Sequence, residues 1–488
     1  MKLLTKNNSL REINFFGVLF CLCYLFIFYA SLLALKFSRQ WQVEHARTTL
    51  LDIPFNFFTL LIFLIILAIL YGLLLRYLKN KEISKCQFRR LILFFIIFQL
   101  ILLVSFPFFS SDIADYITTG SAITELKINP YLTPVAAVNP QAAAYNGWSI
   151  ITTAYGPVAN LLNSFLAVFR LPFAANLFLF RLVTILFNIG CALLVYLIVG
   201  RLKPQMKYLA FAIFAWNPLI LLESAANGHN DIILAFFVLL AFWFALQKKL
   251  LPAMAALAAA CLIKYSPVVL IPLFIAYFIN LNDGVKQKIK TFAKSAAVIL
   301  GLVLITFLPF IGKGLFHGLT QHNQFFSLDL YRGGLAAVII LILISLVEAG
   351  VIDKLNFFSQ IITVIILSAA YFLVLRKKID SPQRLISAGA LIIFILLLAS
   401  PFVVHSWYYL WLLPLVILWN VLYKKRFDFS LLFFLTLLAL VIYSYANVIS
   451  TLVVGLICLL WEIAAYIFRT NYKHQKTSPA PVDTTNSD

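Results

Sequence analysis

The sequence predicts an all-α polytopic membrane protein, and three observations carry that expectation. Of its 488 residues, 63% are hydrophobic and only 11% are charged, a balance that leaves too little polar surface for a water-soluble globule. Apolar runs near or above the roughly 20 residues needed to cross a bilayer recur from Ile13 to Phe468, with Gly or Pro inside several of them. Charge is also segregated: 28 of the 38 Lys and Arg lie in the N-terminus, 76–90, 201–207, 248–249, 286–294, 376–384, 424–426 and the C-terminal tail. If all of these share one side, the other side carries ten basic and ten acidic residues, which is the positive-inside pattern with both termini cytoplasmic. The net charge of +20 therefore reports topology, and nucleic acid is excluded as its explanation because the basic residues sit in short loops between spans.

Taken in order, the first three spans fall near 13–36, 55–78 and 90–109. The first is too long for a signal-peptide core and lacks a convincing cleavage site, so it is kept as a span. Asp112 then emerges opposite the basic 76–90 loop, and residues 110–172 form a structured external loop with short helices. They contain no spanning run, are rich in Asn, Pro, Gly, Tyr and Trp, and are too long for a simple connector. A span near 174–199 carries Arg181 about seven residues in, on the order of 10 Å deep at helical rise. There it either snorkels or faces the external cavity as an anion ligand.

The pair 206–222 and 230–246 is joined by E-S-A-A-N-G-H-N-D, residues 223–231. A tight turn explains Asn227-Gly228, which readily takes positive φ, but not Glu223, His229 and Asp231 beside it. Residues 251–280 read either as one tilted helix or as two short ones broken at Lys264-Tyr265-Ser266-Pro267. Keeping Lys248, Lys249 and Lys286 on one side favours a hairpin with Lys264 outside, and then requires 334–350 to be re-entrant or peripheral. Further spans near 291–311, 355–376, 385–400, 406–423, 430–446 and 448–468 bring the bundle to about 13–14 transmembrane helices. The domain runs through residue 470, and the polar 471–488 tail reads as disordered.

The organising stretch is S-S-D-I-A-D-Y-I-T-T-G-S-A-I-T-E-L-K-I-N-P-Y, residues 110–131. It places Asp112 and Asp115 at a bilayer edge, where charge is costly unless it has a task. On a helix, Asp112, Asp115, Tyr116 and Thr119 share one face. Two acids in a first turn also suit N-capping and the helix dipole. Other chain segments bring Glu125, Glu223, His229, Asp231, Lys264, Arg332 and His405 to the same side, which makes a shared site the economical explanation. Groups of both signs beside lipid suit a substrate with an anionic head and a hydrophobic tail, with Lys264, Arg181 or Arg332 holding its phosphate. The H-S-W-Y-Y run at 405–409 fits either that site or an interfacial aromatic belt. The six cysteines show neither a disulfide framework nor metal-ligand spacing; a divalent cation on the acids stays open, with no spacing that compels it.

These residues carry a resemblance. S-S-D-I-A-D-Y…G…N-P-Y, Y-G-P at 155–157, W-N-P-L…G-H-N-D at 216–231, K-Y-S-P at 264–267 and S-P-F-V-V-H-S-W-Y-Y-L-W at 400–411 occur in the order found in bacterial GT-C superfamily membrane glycosyltransferases. From about residue 105 to 415 the chain most resembles the polyprenol-phosphomannose-dependent mannosyltransferases. The resemblance implies a GT-C fold in a bacterial plasma membrane. It also implies transfer of a hexose, mannose, from a polyprenyl-phosphate donor to an extracytoplasmic glycan or lipid-linked acceptor. Asp112 matches the acidic residue of the family's first external loop, with Asp115 second, although relatives often have a tighter acidic pair. Donor phosphate is expected at Lys264, Arg181, Arg332 and His405. Acceptor or sugar is expected at Tyr116, Asn129, Tyr131, Tyr155, His229, Asn230, Asp231 and Trp407.

A carboxylate at Asp112 can deprotonate the acceptor hydroxyl as it attacks the anomeric carbon opposite the phosphate, which inverts configuration. The phosphate leaves as a stabilised anion, so cations matter more there than a general acid. Two other readings compete: a non-enzymatic transporter or flippase of a lipid-linked sugar, and a lipid-linked polymerase or ligase. No internal repeat is evident for the former, and its charges would mark a path across the membrane instead of one face.

Overall fold

The structure is a computed structural model that describes residues 2–40, 57–79, 81–107, 110–138, 147–312, 352–399, 404–423, 431–433 and 435–437. Among these residues all regular secondary structure is helical. Among the described residues six helices are long and apolar enough to cross a membrane, or seven if the pair Pro204–Ala215 and Pro218–Ala226, bent by 56°, is one span. Five shorter apolar helices accompany them: Ile62–Leu78, Asp231–Leu246, Leu250–Ile263, Ser266–Asn280 and Gln360–Leu375. The outer faces agree with lipid contact: Leu300, Leu304 and Ile305 are 59–68% exposed, which water would penalise and acyl chains do not. The chain is an all-α polytopic membrane protein. Arg332, the 334–350 segment, the 448–468 span, most of 430–446 and the tail lie outside the described residues.

The first three helices are α1 (Lys2–Gln40), α2 (Phe57–Leu78) and α3 (Lys85–Val104). A capping box starts α3: Gln87 N–H donates to Ser84 Oγ at 3.3 Å while Ser84 N–H donates to Gln87 Oε1 at 2.8 Å. Its inner face meets the buried Trp216, whose Nε1 donates to the Leu91 carbonyl at 3.0 Å while its ring sits edge-on to Phe20, Phe94 and Phe98. An indole buried in apolar surroundings needs that acceptor, and the ring geometry adds to packing.

Next come α4 (Asp112–Glu125), α5 (Pro157–Ala167), α6 (Phe173–Leu202) and α7 (Lys207–Ala215). Pro218 cannot continue α7, so Asn217 recaps the chain by accepting from Ile220 N–H at 3.2 Å. The short helix Pro218–Leu221 that follows widens into a π turn, Leu222–Ala226, closed by Asn227 N–H on the Leu222 carbonyl at 2.9 Å. A π turn inserts one extra residue and is frequent at functional sites.

Helices α8 (Asp231–Leu246), α9 (Leu250–Ile263) and α10 (Ile271–Asn280) settle the 251–280 segment. Lys264, at the end of α9, bonds Asp231 at 3.0 Å, whereas Tyr277 OH, near the end of α10, donates to the Ala245 carbonyl at 3.0 Å. Asp231 and Ala245 are 14 residues apart on α8, about 21 Å at helical rise, so the chain reverses at Lys264. The hairpin is the geometry present, with Lys264 at its tip.

Helix α11 (Val285–Phe307) then returns to the end that bears α4: Asn129 Nδ2 donates to the Phe310 carbonyl at 2.6 Å, and Tyr131 packs on Phe307 and Phe310. Three further long helices follow, α12 (Ile352–Leu375), α13 (Pro382–Ala399) and α14 (Tyr409–Tyr423). The basic turns collect at the opposite end, where Lys203 donates to the Val421 carbonyl at 2.8 Å and Asn280 to the Ile379 carbonyl at 3.2 Å.

Candidate functional site

The site lies where the start of α4, the 153–157 loop, the 223–231 turn, the Lys264 tip and the 405–411 run converge. Asp112 opens α4 and is 6% exposed. One carboxylate oxygen accepts from Ser110 Oγ at 3.0 Å and the other from Tyr155 OH at 3.2 Å. Tyr155 OH also lies 3.4 Å from Tyr116 OH, and the two rings meet edge to face. Burial pushes the Asp112 carboxyl above its ordinary range; the nearby Lys264 charge and the Ser110 and Tyr155 hydroxyls pull the other way. Asp115, one turn on and also buried, is pushed up to about 7, first by burial and then by the charge of Asp112.

Tyr155 is held from two sides. Its carbonyl accepts from Tyr131 OH at 3.0 Å, and the adjoining Gly156 N–H donates to the Ile263 carbonyl at 2.9 Å. A Cβ at Gly156 would stand 2.1 Å from the Leu262 carbonyl oxygen, so only glycine allows this approach. Asn129 Oδ1 accepts from Tyr131 N–H at 3.1 Å. Asn129 and Tyr131 thus brace the loop that aims Tyr155 at Asp112.

The 223–231 turn supplies His229, Asn230 and Asp231. Gly228 takes φ 73° there, and a Cβ on it would meet Ile113 and Arg181 at 2.7 and 2.9 Å. His229 is fully buried, with Nδ1 3.7 Å from Asp112 Oδ2 and Nε2 3.4 Å from Glu223 Oε2. Its ring stacks on Trp407 at 4.2 Å, and Trp407 stacks on His405 at 4.2 Å, giving an imidazole–indole–imidazole sandwich. Asp231 is compensated on both oxygens: Lys264 Nζ reaches them at 3.0 and 3.1 Å, and Trp411 Nε1 donates at 2.7 Å. The Lys264 ammonium also lies over the rings of Tyr408, Trp411 and Tyr155 at 4.7, 5.5 and 5.6 Å.

A mostly apolar cavity of about 150 Å³ is lined by Tyr116 and Asn230, the sequence neighbours of Asp115 and Asp231. It reaches from Tyr116 and Asn230 to Phe187 and Phe237 on α6 and α8. The Asn230 amide and the Asn163 Nδ2 have no hydrogen-bond partner among the described residues, although both side chains are buried.

Asp112, Asp115, Tyr116, Tyr155, His229, Asn230, Asp231, Lys264, His405 and Trp407 therefore gather around one centre. Arg181 is adjacent but differently engaged, because its guanidinium donates to the carbonyls of Leu177, at 3.0 Å, and Ser105. Glu125 ends α4, exposed and about 20 Å along the helix from Asp112. Arg332 lies outside the described residues. Tyr408 and Trp411 join the site without a role read from sequence; their signal is the i, i+3 spacing beside the H-S-W stretch. Among the described residues no cluster of three or more His, Cys, Asp or Glu is arranged to hold a metal ion.

Residues 22–280, just over half of the chain, match the model of a family described as alpha-(1->6)-mannopyranosyltransferase, N-terminal domain. The matched stretch contains every site residue named above up to Lys264, while His405, Trp407, Tyr408 and Trp411 lie beyond it. No curated protein matches the chain.

Proposed function

The chain belongs to the alpha-(1->6)-mannopyranosyltransferase family, a membrane-bound glycosyltransferase transferring mannose, and from that premise we propose a donor, a base and a side of the membrane. The donor is a polyprenyl-phosphate mannose and the acceptor an extracytoplasmic glycan or lipid-linked glycan. The observation that carries this reading is a buried carboxylate, Asp112, facing hydroxyl groups at the same membrane end as the Lys264 ammonium and the apolar cavity. Asp112 takes the proton of the acceptor hydroxyl as that oxygen attacks the anomeric carbon. Lys264 and His405 receive the phosphate that departs, and the apolar helices receive the lipid. A single displacement inverts the anomeric centre, so the α linkage in the family's name requires a donor of β configuration.

The site end lies opposite the basic turns, and the positive-inside rule puts those turns in the cytoplasm. The reaction is accordingly assigned to the outer face of a bacterial plasma membrane, with residues 1–470 as the GT-C-like domain and 110–172 as its catalytic loop. The test is transfer by the purified protein in vesicles supplied with lipid-linked mannose and, in parallel, a nucleotide-linked mannose. Transfer from the lipid donor alone is expected, and Asp112→Ala lowers it by about 10²–10⁴-fold, the usual share of a positioned base. Near wild-type transfer by Asp112→Ala overturns the base assignment. Donor translocation without sugar transfer would favour the flippase reading.

A further inference from the structure

Asp112 faces a difficulty once it has taken a proton. It is 6% exposed, so while substrate covers the site the proton has only neighbouring groups to move to until the products leave. One neighbour is an imidazole with carboxylates on both sides. His229 Nδ1 stands 3.7 Å from Asp112 Oδ2, and Nε2 stands 3.4 Å from Glu223 Oε2. Neither ring nitrogen makes a hydrogen bond among the described residues, and the residue is fully buried. Both separations exceed hydrogen-bond length, as catalytic contacts commonly do before substrate closes the site.

Three features hold this line of groups in place. The π turn Leu222–Ala226 carries Glu223, with Asn227 Nδ2 donating to Glu223 Oε2 at 3.1 Å. The His229 N–H donates to the Glu223 carbonyl at 2.9 Å, tying imidazole and acid to one turn. The Trp407 face, 4.2 Å away and inclined by 15°, fixes the plane of the imidazole, with one nitrogen nearer Asp112 and the other nearer Glu223. Stacking of this kind orients a ring without consuming either nitrogen.

We infer that Asp112, His229 and Glu223 form a proton relay, with His229 neutral in the resting enzyme, its Nε2–H toward Glu223 and its Nδ1 lone pair toward Asp112. The relay rests on Asp112 being the base. During transfer, the acceptor oxygen forms its bond to the anomeric carbon while the bond from that carbon to the phosphate oxygen breaks, and the electron pair leaves on phosphate. The acceptor proton passes to Asp112 and from its Oδ2 to His229 Nδ1. Glu223 balances the resulting imidazolium, and Asp112 is again an anion before the products part. After they leave, the proton returns through Asp112 to the water that fills the site. Burial and the Lys264 charge hold the His229 imidazole neutral at rest, so the relay charges it only while Asp112 carries the acceptor's proton and Glu223 faces its other nitrogen.

The test compares full-length wild type, His229→Ala and Glu223→Gln in vesicles with lipid-linked mannose, following kcat, KM, thermal unfolding and activity with added free imidazole. His229→Ala should lower kcat by at least about 10-fold while KM for donor and acceptor stays within about twofold. Free imidazole should restore a measurable share of kcat in His229→Ala and none in wild type. Glu223→Gln, nearly isosteric, should lower kcat with an unchanged unfolding midpoint and should not respond to imidazole. A His229→Ala enzyme that folds but is not rescued, or whose loss lies in KM alone, overturns the relay and makes His229 an acceptor contact. An unchanged kcat in both variants also overturns it. If Asp112→Ala is itself active, the base assignment fails, and that result is separable because it does not depend on His229.

Discussion

Asp231 and Asp112 are buried at the same end of the bundle, yet they are compensated differently. Asp231 receives an ammonium on both oxygens and an indole N–H at 2.7 Å. Asp112 receives two hydroxyls, and its nearest ring nitrogen stops at 3.7 Å. Burial pushes both carboxyls up, but Lys264 and Trp411 pull Asp231 back through direct bonds, whereas Lys264 acts on Asp112 only at a distance. An acid held only by hydroxyls keeps its charge at a cost, and that cost makes it a ready proton acceptor. The contrast fits the proposal made for Asp112 and leaves Asp231 bonded to the Lys264 tip and to Trp411 of the 405–411 run.

The contrast can be broken most severely at Lys264. Replacing it with alanine strands the Asp231 charge, and unfolding in detergent should show a loss of about 3–5 kcal/mol together with loss of transfer. The double variant Lys264→Met, Asp231→Leu removes both charges and should regain most of that stability while transfer stays lost. Recovery of transfer in the double variant would show that the ammonium has no part in holding the phosphate. A smaller effect is expected from Trp411→Phe. It keeps an aromatic ring beside Tyr408 but removes the N–H to Asp231, a bond to a charged group worth about 1.5–3 kcal/mol. Unfolding of that variant at several pH values measures it.

A pH-dependent effect concerns Asp115, which sharpens the comparison because it is buried and no cation is among the causes of its shift. Its carboxyl rises from 3.8 to about 7 in the fold. Between those values the folded chain holds a proton that the unfolded chain has released, so stability falls as pH rises through this window and is flat above it. Asp115→Asn removes the penalty, and its gain in thermal midpoint over wild type should be larger at pH 8 than at pH 5. Equal gains at both pH values would show that the acid is not titrating there.

The site was legible in sequence as far as charge at a membrane edge goes. Asp112, His229, Asp231 and Lys264 stand out because lipid penalises such residues anywhere else in an apolar chain. The hairpin at Lys264 was half legible: the basic turns favoured an even number of crossings, and the bonds from Lys264 to Asp231 and from Tyr277 to Ala245 show the reversal itself. Partner choice was not legible. Depth along α6 suggested that Arg181 faces a cavity or snorkels, but nothing local says that its donors go to the carbonyls of Ser105 and Leu177. Trp411 meets Asp231 across 180 residues of chain, and Tyr155 meets Asp112 across 43. Such pairings arise only when helices pack, and no spacing rule reaches them. The π turn was hidden for the same reason, since E-S-A-A-N reads as ordinary helix and loop until its backbone bonds are seen.

One backbone contact limits how this enzyme can be rebuilt. Gly156 rests its N–H on Ile263, so the segment that delivers Tyr155 is fastened to a hairpin more than a hundred positions downstream. A chimera that imports residues 110–172 from a relative imports only half of that joint. The recipient's backbone carbonyl at 263 still offers itself, but the approach to Leu262 leaves no room for a side chain, so the import must carry glycine at this place.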